Sequence, residues 1–203
     1  EMEHHWDESF GYFGAAVDYN FYTDAEIKSP GYKDSNEDGA IDFITEYNHG
    51  ISKNAAKRDA GAASGTVDFT KTIMDAYLEG RTLIHNQADI SEILAQRDII
   101  VNTWEKVIAA TVVHYINDTA ADMAALYPAD STAGPTSPLV ADLNKHWGEM
   151  RGFTIALQYN DFALISDADL ETVSEAMGTS PVYPEDGYNE FYAYHGALLS
   201  TIR

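Results

Sequence analysis

Cysteine is absent from the 203-residue chain, which removes disulfide frameworks, thiolate metal sites and cysteine nucleophiles together. Basic side chains are scarce: 12 Lys and Arg stand against 33 Asp and Glu, for a formal charge of −21. Binding a phosphate backbone or an anionic membrane surface needs clustered Lys and Arg, so neither suits this chain as a partner. No apolar run approaches the roughly 20 residues of a membrane span. The alternating β-branched runs of a sheet are missing too. So are the Gly-x-Ser-x-Gly elbow, the phosphate-cradling Gly-Lys-Ser/Thr loop, the dinucleotide glycine fingerprint and the His-Glu-x-x-His helix.

What is present suits a packed globular protein. Hydrophobic residues make up 45% and charged residues only 22%, which separates the chain from acidic disordered tails. The length fits a single domain over residues 1–203, and the opening Glu1-Met2-Glu3-His4-His5-Trp6 is helix-like with no capping residue before it. That start implies a piece of a longer precursor.

Apolar residues recur at intervals of three and four. Ile93, Ile100, Trp104, Val107, Ile108, Val112, Tyr115 and Ile116 form one wide stripe, which predicts a long helix from Ile90 to about Leu126, broken at most once. A second helix is expected from about Thr66 through Ile84, with Gly80 inside it. A third runs over 139–159, entered through Ser137 as N-cap and Pro138 in the first turn. Shorter helices are expected at 2–13, 43–57, 167–177 and 187–202. The fold class is therefore all-α, an antiparallel helical bundle with long irregular connections at 14–42 and 178–186.

A repeat stands out. His5-Trp6-Asp7-Glu8-Ser9-Phe10-Gly11-Tyr12 matches His146-Trp147-Gly148-Glu149-Met150-Arg151-Gly152-Phe153 in register, and Asp18-Tyr19-Asn20 and Gln158-Tyr159-Asn160 follow the two copies. An internally duplicated helical unit is the economical explanation. A His and a Glu three apart share one helix face, where an imidazole nitrogen and a carboxylate oxygen can converge. Such mixed N and O donors suit iron or a borderline divalent ion such as zinc. With a pseudo-two-fold between the copies, His5, Glu8, His146 and Glu149 would supply four ligands, and the glycine at the seventh position would admit a close approach. His4 is an alternative to His5 that lacks the three-residue spacing to Glu8. A purely structural role stands beside this one, with the histidine bonding the glutamate and the tryptophan filling core. His114, one turn before Asp118, is either an extra ligand or a satisfied core histidine.

The string Asp34-Ser35-Asn36-Glu37-Asp38-Gly39-Ala40-Ile41-Asp42 has the spacing of an EF-hand or dockerin calcium loop. Asp34, Asn36 and Asp38 offer side-chain oxygens, Gly39 makes the turn, Ala40 offers its carbonyl and Asp42 follows. Position twelve holds Thr45 instead of a bidentate Glu, with Glu46 one residue beyond. The segment 30–46 is thus expected to be a calcium-binding-type loop that pins the 14–42 connection and points to a calcium-rich exterior. A solvated acidic turn is the competing account. Lys57, Arg58, Arg81 and Arg97 are expected to pair with acids inside the bundle.

In these motifs the chain resembles the imelysin-like proteins, extracytoplasmic bacterial helical proteins with a His-x-x-Glu motif linked to iron uptake. It resembles more closely the secreted bacterial family called domain of unknown function 4856. The strings that carry this are His5 to Gly14, Asp34 to Asp42 with Glu46-Tyr47-Asn48, Asn54 to Asp59, and His146 to Phe153. Imelysin motifs carry a glycine two residues before the histidine, where this chain has Glu3 and Asn144. The resemblance implies a secreted protein or lipoprotein of the cell envelope. It favours a non-catalytic, calcium-stabilised protein binding a metal ion or a metal-bearing ligand. The alternatives are a cell-surface adhesion or assembly module, with another envelope protein as partner, and an imelysin-type metallopeptidase.

Overall fold

The computed structural model describes residues 1–59 and 67–201. Its eight α-helices are α1 (Met2–Phe13), α2 (Asp24–Lys28), α3 (Gly50–Asp59), α4 (Phe69–His85), α5 (Ile90–Ala129), α6 (Ala141–Ala156), α7 (Asp167–Met177) and α8 (Tyr188–Ser200). Among the described residues there is no strand, only an isolated bridge between Tyr32 and Tyr47. The fold is an all-α helical bundle. The chain divides into two compact units, Glu1–Val107 and Ile108–Arg203.

In the first unit, α1, α3, α4 and the front of α5 enclose a core around Phe13, Tyr19, Ile73, Tyr77 and Val107. The Phe13 ring meets Tyr19 edge-on at 5.7 Å and lies 5.9 Å from Trp104. Each such fully buried side chain contributes about 1.5–3 kcal/mol relative to exposure. Helix α1 stops at Gly14, whose φ of 79° is the left-handed turn that glycine permits. A Cβ there would also strike the His49 carbonyl at 2.6 Å.

The second unit packs Val112, Ile116, Met123 and Leu126 of α5 with Leu143 and Met150 of α6 and Phe191 and Leu198 of α8. Helix α5 runs unbroken for 40 residues, with Pro128 in its last turn. Ser137 caps the turn Pro138–Val140 through the Leu139 amide, and α6 follows directly. Ser166 caps α7 at the Asp169 amide.

The expected helix over 43–57 begins later, at Gly50. Asp42 takes the amides of Ile44 and Thr45, and the Tyr32–Tyr47 bridge holds the chain extended, so helical hydrogen bonds cannot start. Conversely, the 14–42 connection contains α2, which was not expected. Its signal was the Thr23-x-x-Glu26 capping box, whose reciprocal bonds are both formed. The expected start at Thr66 lies outside the described residues.

Candidate metal-binding sites

The two His-Trp-x-Glu copies lie on α1 of the first unit and α6 of the second. Their tryptophans behave alike. Trp6 Nε1 donates to the Tyr77 carbonyl at 2.9 Å, and Trp147 Nε1 donates to the Tyr194 hydroxyl at 2.7 Å and lies 3.3 Å from the Met177 carbonyl. Each indole thus ties its helix to a neighbour by a partly buried N–H.

Their histidines do not behave alike. His5 and Glu8 point outward, with side chains 66% and 53% exposed and 3.6 Å between Nδ1 and Oε2, a loose ion pair. His4 joins them: one nitrogen from each histidine and one oxygen of Glu8 lie within 4.8 Å of one another. Among the described residues this is the one group of three or more His, Asp or Glu so arranged. Two nitrogens and an oxygen on one exposed helix face leave open positions for water or a ligand. The three-residue rule favoured His5, but His4 at four residues also reaches Glu8, since both spacings share a face.

His146 is turned inward. Its Nδ1 lies 2.7 Å from Asp122 Oδ2 on α5, and its ring packs 5.9 Å from Tyr115. Its partner is thus Asp122, 24 residues away, rather than Glu149. Glu149 Oε2 is shut off from solvent with no hydrogen-bond partner among the described residues. Such an orphaned oxygen invites a water or a cation. His114 pairs with Asp118 at 3.2 Å and is 42% exposed, a satisfied histidine at the surface rather than in the core. Neither Gly11 nor Gly152 serves a close approach, because a Cβ at either would meet nothing within 4 Å.

The Asp34–Asp42 string forms a tight loop. Asp34 accepts the amides of Asp38 and Gly39 at 3.0 and 2.8 Å, Asn36 accepts that of Asp38, and Asp38 accepts that of Ala40. Glu37 and Gly39 take positive φ of 60° and 85°. Glu46 is 3% exposed and clamps the loop from behind: Oε1 takes the Ser35 and Asn36 amides, and Oε2 takes that of Asp42. Asp18, noted in the sequence only as part of the repeat and not as a loop ligand, accepts from Ser35 Oγ at 2.6 Å. Its other oxygen, Oδ1, is buried without a partner among the described residues.

Other buried polar residues are further clamps invisible to periodicity. Asn48 Oδ1 accepts the Ala16 amide at 2.7 Å, and the Asn48 backbone N–H donates to the Gly31 carbonyl at 2.8 Å. Asp59 accepts the amides of Phe69 and Thr70 at the start of α4. Of the expected basic pairings, Arg81 bonds Glu3 and Asp7 on α1, and Arg97 bonds its neighbour Asp98. The Arg81 guanidinium, with His85 beside it, holds the Glu3 carboxyl below its ordinary range.

No curated protein and no solved structure gives a significant match to the chain. A family match covers the first His-Trp-x-Glu copy, the acidic loop and all of α5, and stops before the second copy. Residues 1–134 match the domain of unknown function 4856 family (DUF4856), and the chain belongs to it.

Proposed function

We propose that this chain is a non-catalytic, calcium-stabilised helical protein of the bacterial exterior that binds a transition metal ion, iron or zinc, on its first helix. One observation carries the reading: His4, His5 and Glu8 bring two imidazole nitrogens and a carboxylate oxygen within 4.8 Å of one another. That donor set suits a borderline metal. Exposure makes the seat reachable by a metal-bearing ligand as well as by the free ion. The likeness of the motif to imelysin-like proteins points the same way.

Calcium would sit in the 34–42 loop, held by Asp34, Asn36, Asp38, Asp42 and the Ala40 carbonyl, with Glu46 fixing the backbone. The orphaned Asp18 Oδ1 would add an oxygen.

A second reading is favoured by the second motif. There Trp147 and the His146–Asp122 pair lock helices together, as a surface adhesion or assembly module would require. Zinc and iron titrations of the native protein separate the two readings. The metal reading expects one site that His4→Ala, His5→Ala and Glu8→Gln each weaken at least tenfold and that His146→Ala leaves intact. If no metal binds above background, or if those three variants bind as wild type does, the interaction module stands instead. For the loop, saturating calcium should raise the melting midpoint, since an ion at 100 times its dissociation constant adds about 2.7 kcal/mol. An unchanged midpoint with and without chelator would remove calcium.

A further inference from the structure

We infer that the second unit binds a small zwitterion, a carboxylate and an ammonium on a short apolar frame, in a cavity between α6 and α7. The cavity has a volume of about 420 Å³, within the usual span of small-ligand sites, about 300–1,000 Å³. Arg151 and Ile155 of α6 line one side, and Asp167, Leu170, Glu171 and Ser174 of α7 the other.

The charges in this cavity are unspent. Bases are scarce in the chain, 12 against 33 acids, and Lys33, Lys71, Arg81 and Arg97 are each paired with a carboxylate. Arg151 is paired with none among the described residues, although two carboxylates line the same cavity. Its guanidinium is half-buried and donates only to the Ser174 carbonyl, at a long 3.3 Å. A guanidinium carries several N–H donors in a fork that matches a carboxylate, so one carbonyl leaves most of them open. The Asp167 and Glu171 carboxylates likewise accept no hydrogen bond and join no ion pair among the described residues.

Opposite charges held apart across one cavity set the chemistry. A simple cation would meet the guanidinium, and an anion such as phosphate would meet the two carboxylates. A zwitterion satisfies both sides, its carboxylate bidentate on Arg151 and its ammonium on Glu171. The spacing suits this, because Glu171 lies three residues before Ser174, one turn along the same face of α7, and Asp167 lies a further turn away. A free amino acid spans the shorter interval and a dipeptide the longer. Ile155 and Leu170 give the hydrocarbon between the two charges an apolar contact.

The test is amide-resolved NMR titration at about 0.15 M salt, where long-range forces from the acidic surface are screened. The probes are L-leucine, glycyl-L-leucine, and two analogues of leucine with one charge each, 3-methylbutylamine and 4-methylpentanoate. Saturable one-to-one shifts confined to residues 151–158 and 167–174 are expected with leucine, the dipeptide or both, and at least tenfold weaker binding with either analogue. Which zwitterion binds tells a free amino acid from a peptide. Arg151→Gln and Glu171→Gln should each weaken binding at least tenfold, and Glu92→Gln in the first unit should leave it unchanged. Should Arg151→Gln fail to fold, Glu171→Gln, at an exposed position of α7, decides alone. Absence of shifts with both zwitterions, equal binding of a single-charge analogue, or wild-type binding by a folded Arg151 or Glu171 variant overturns the inference.

Discussion

At the scale of single residues, the two motif tryptophans impose the most specific demands. Gly80 sits in the middle of α4, where a helix ordinarily gains about 0.5–1 kcal/mol from alanine. Here a Cβ would lie 2.0 Å from Trp6 Cζ2, so Gly80→Ala should instead cost about 1–3 kcal/mol through overpacking. In a Trp6→Ala background the same change should become neutral or stabilising, and urea denaturation of the four variants measures the reversal. Glu46 makes the second demand. Its buried carboxylate answers three amides, so Glu46→Gln, which turns one acceptor into a donor, should cost about 2–3 kcal/mol and lower the midpoint of chemical unfolding. Neither constraint is legible in the sequence. Gly80 shows there only as a tolerated weak point, since the ring that needs its space lies 74 positions away in the chain. The pairing of His146 with Asp122 was hidden for the same reason: spacing along one helix reveals neighbours on that helix and nothing across it.

Among the elements, those whose ends carry a chemical signal were readable. Helices at 2–13 and 167–177 stand where periodicity put them, because their limits coincide with Gly14 and with Ser166 and Gly178. The beginning of α3 was not readable. Its apolar pattern continues backward through Phe43, Ile44 and Tyr47, while backbone amides donating to the side chains of Asp42, Glu46 and Asn48 decide the backbone. Helix α2 shows the reverse, a five-residue element too short for periodicity but fixed by its cap. The Thr23 amide and hydroxyl, with Lys33 beside them, hold the Glu26 carboxyl down to about 2. A carboxylate depressed on folding contributes stability above its unfolded value of 4.5, lost as pH falls toward the folded one. The gap in unfolding midpoint between wild type and Glu26→Gln should therefore be full above pH 5 and close as pH drops toward 2. A gap independent of pH over that window would show that the cap owes nothing to the charge.

For the molecule as a whole, charge is the governing quantity. A formal −21 opposes compaction through self-repulsion, and salt relieves this as the Debye length shrinks from about 10 Å at 0.1 M to 3 Å at 1 M. The melting midpoint should therefore rise with sodium chloride over that interval, and calcium should raise it further than magnesium at equal ionic strength. The fold class and the lack of a helix long and apolar enough to cross a membrane among the described residues were both accessible from composition and period, which average over many residues. The clamps were not, because they depend on side chains brought together from distant positions. The paired indoles have one more use. Trp6 and Trp104 belong to the first unit and Trp147 to the second, so each half has its own fluorophore. Replacing Trp6 and Trp104 with phenylalanine would leave emission from Ile108–Arg203 alone, and Trp147→Phe would silence that half. The chain is thereby labelled by its own sequence, and the order in which its two cores melt can be read as two colours of one spectrum.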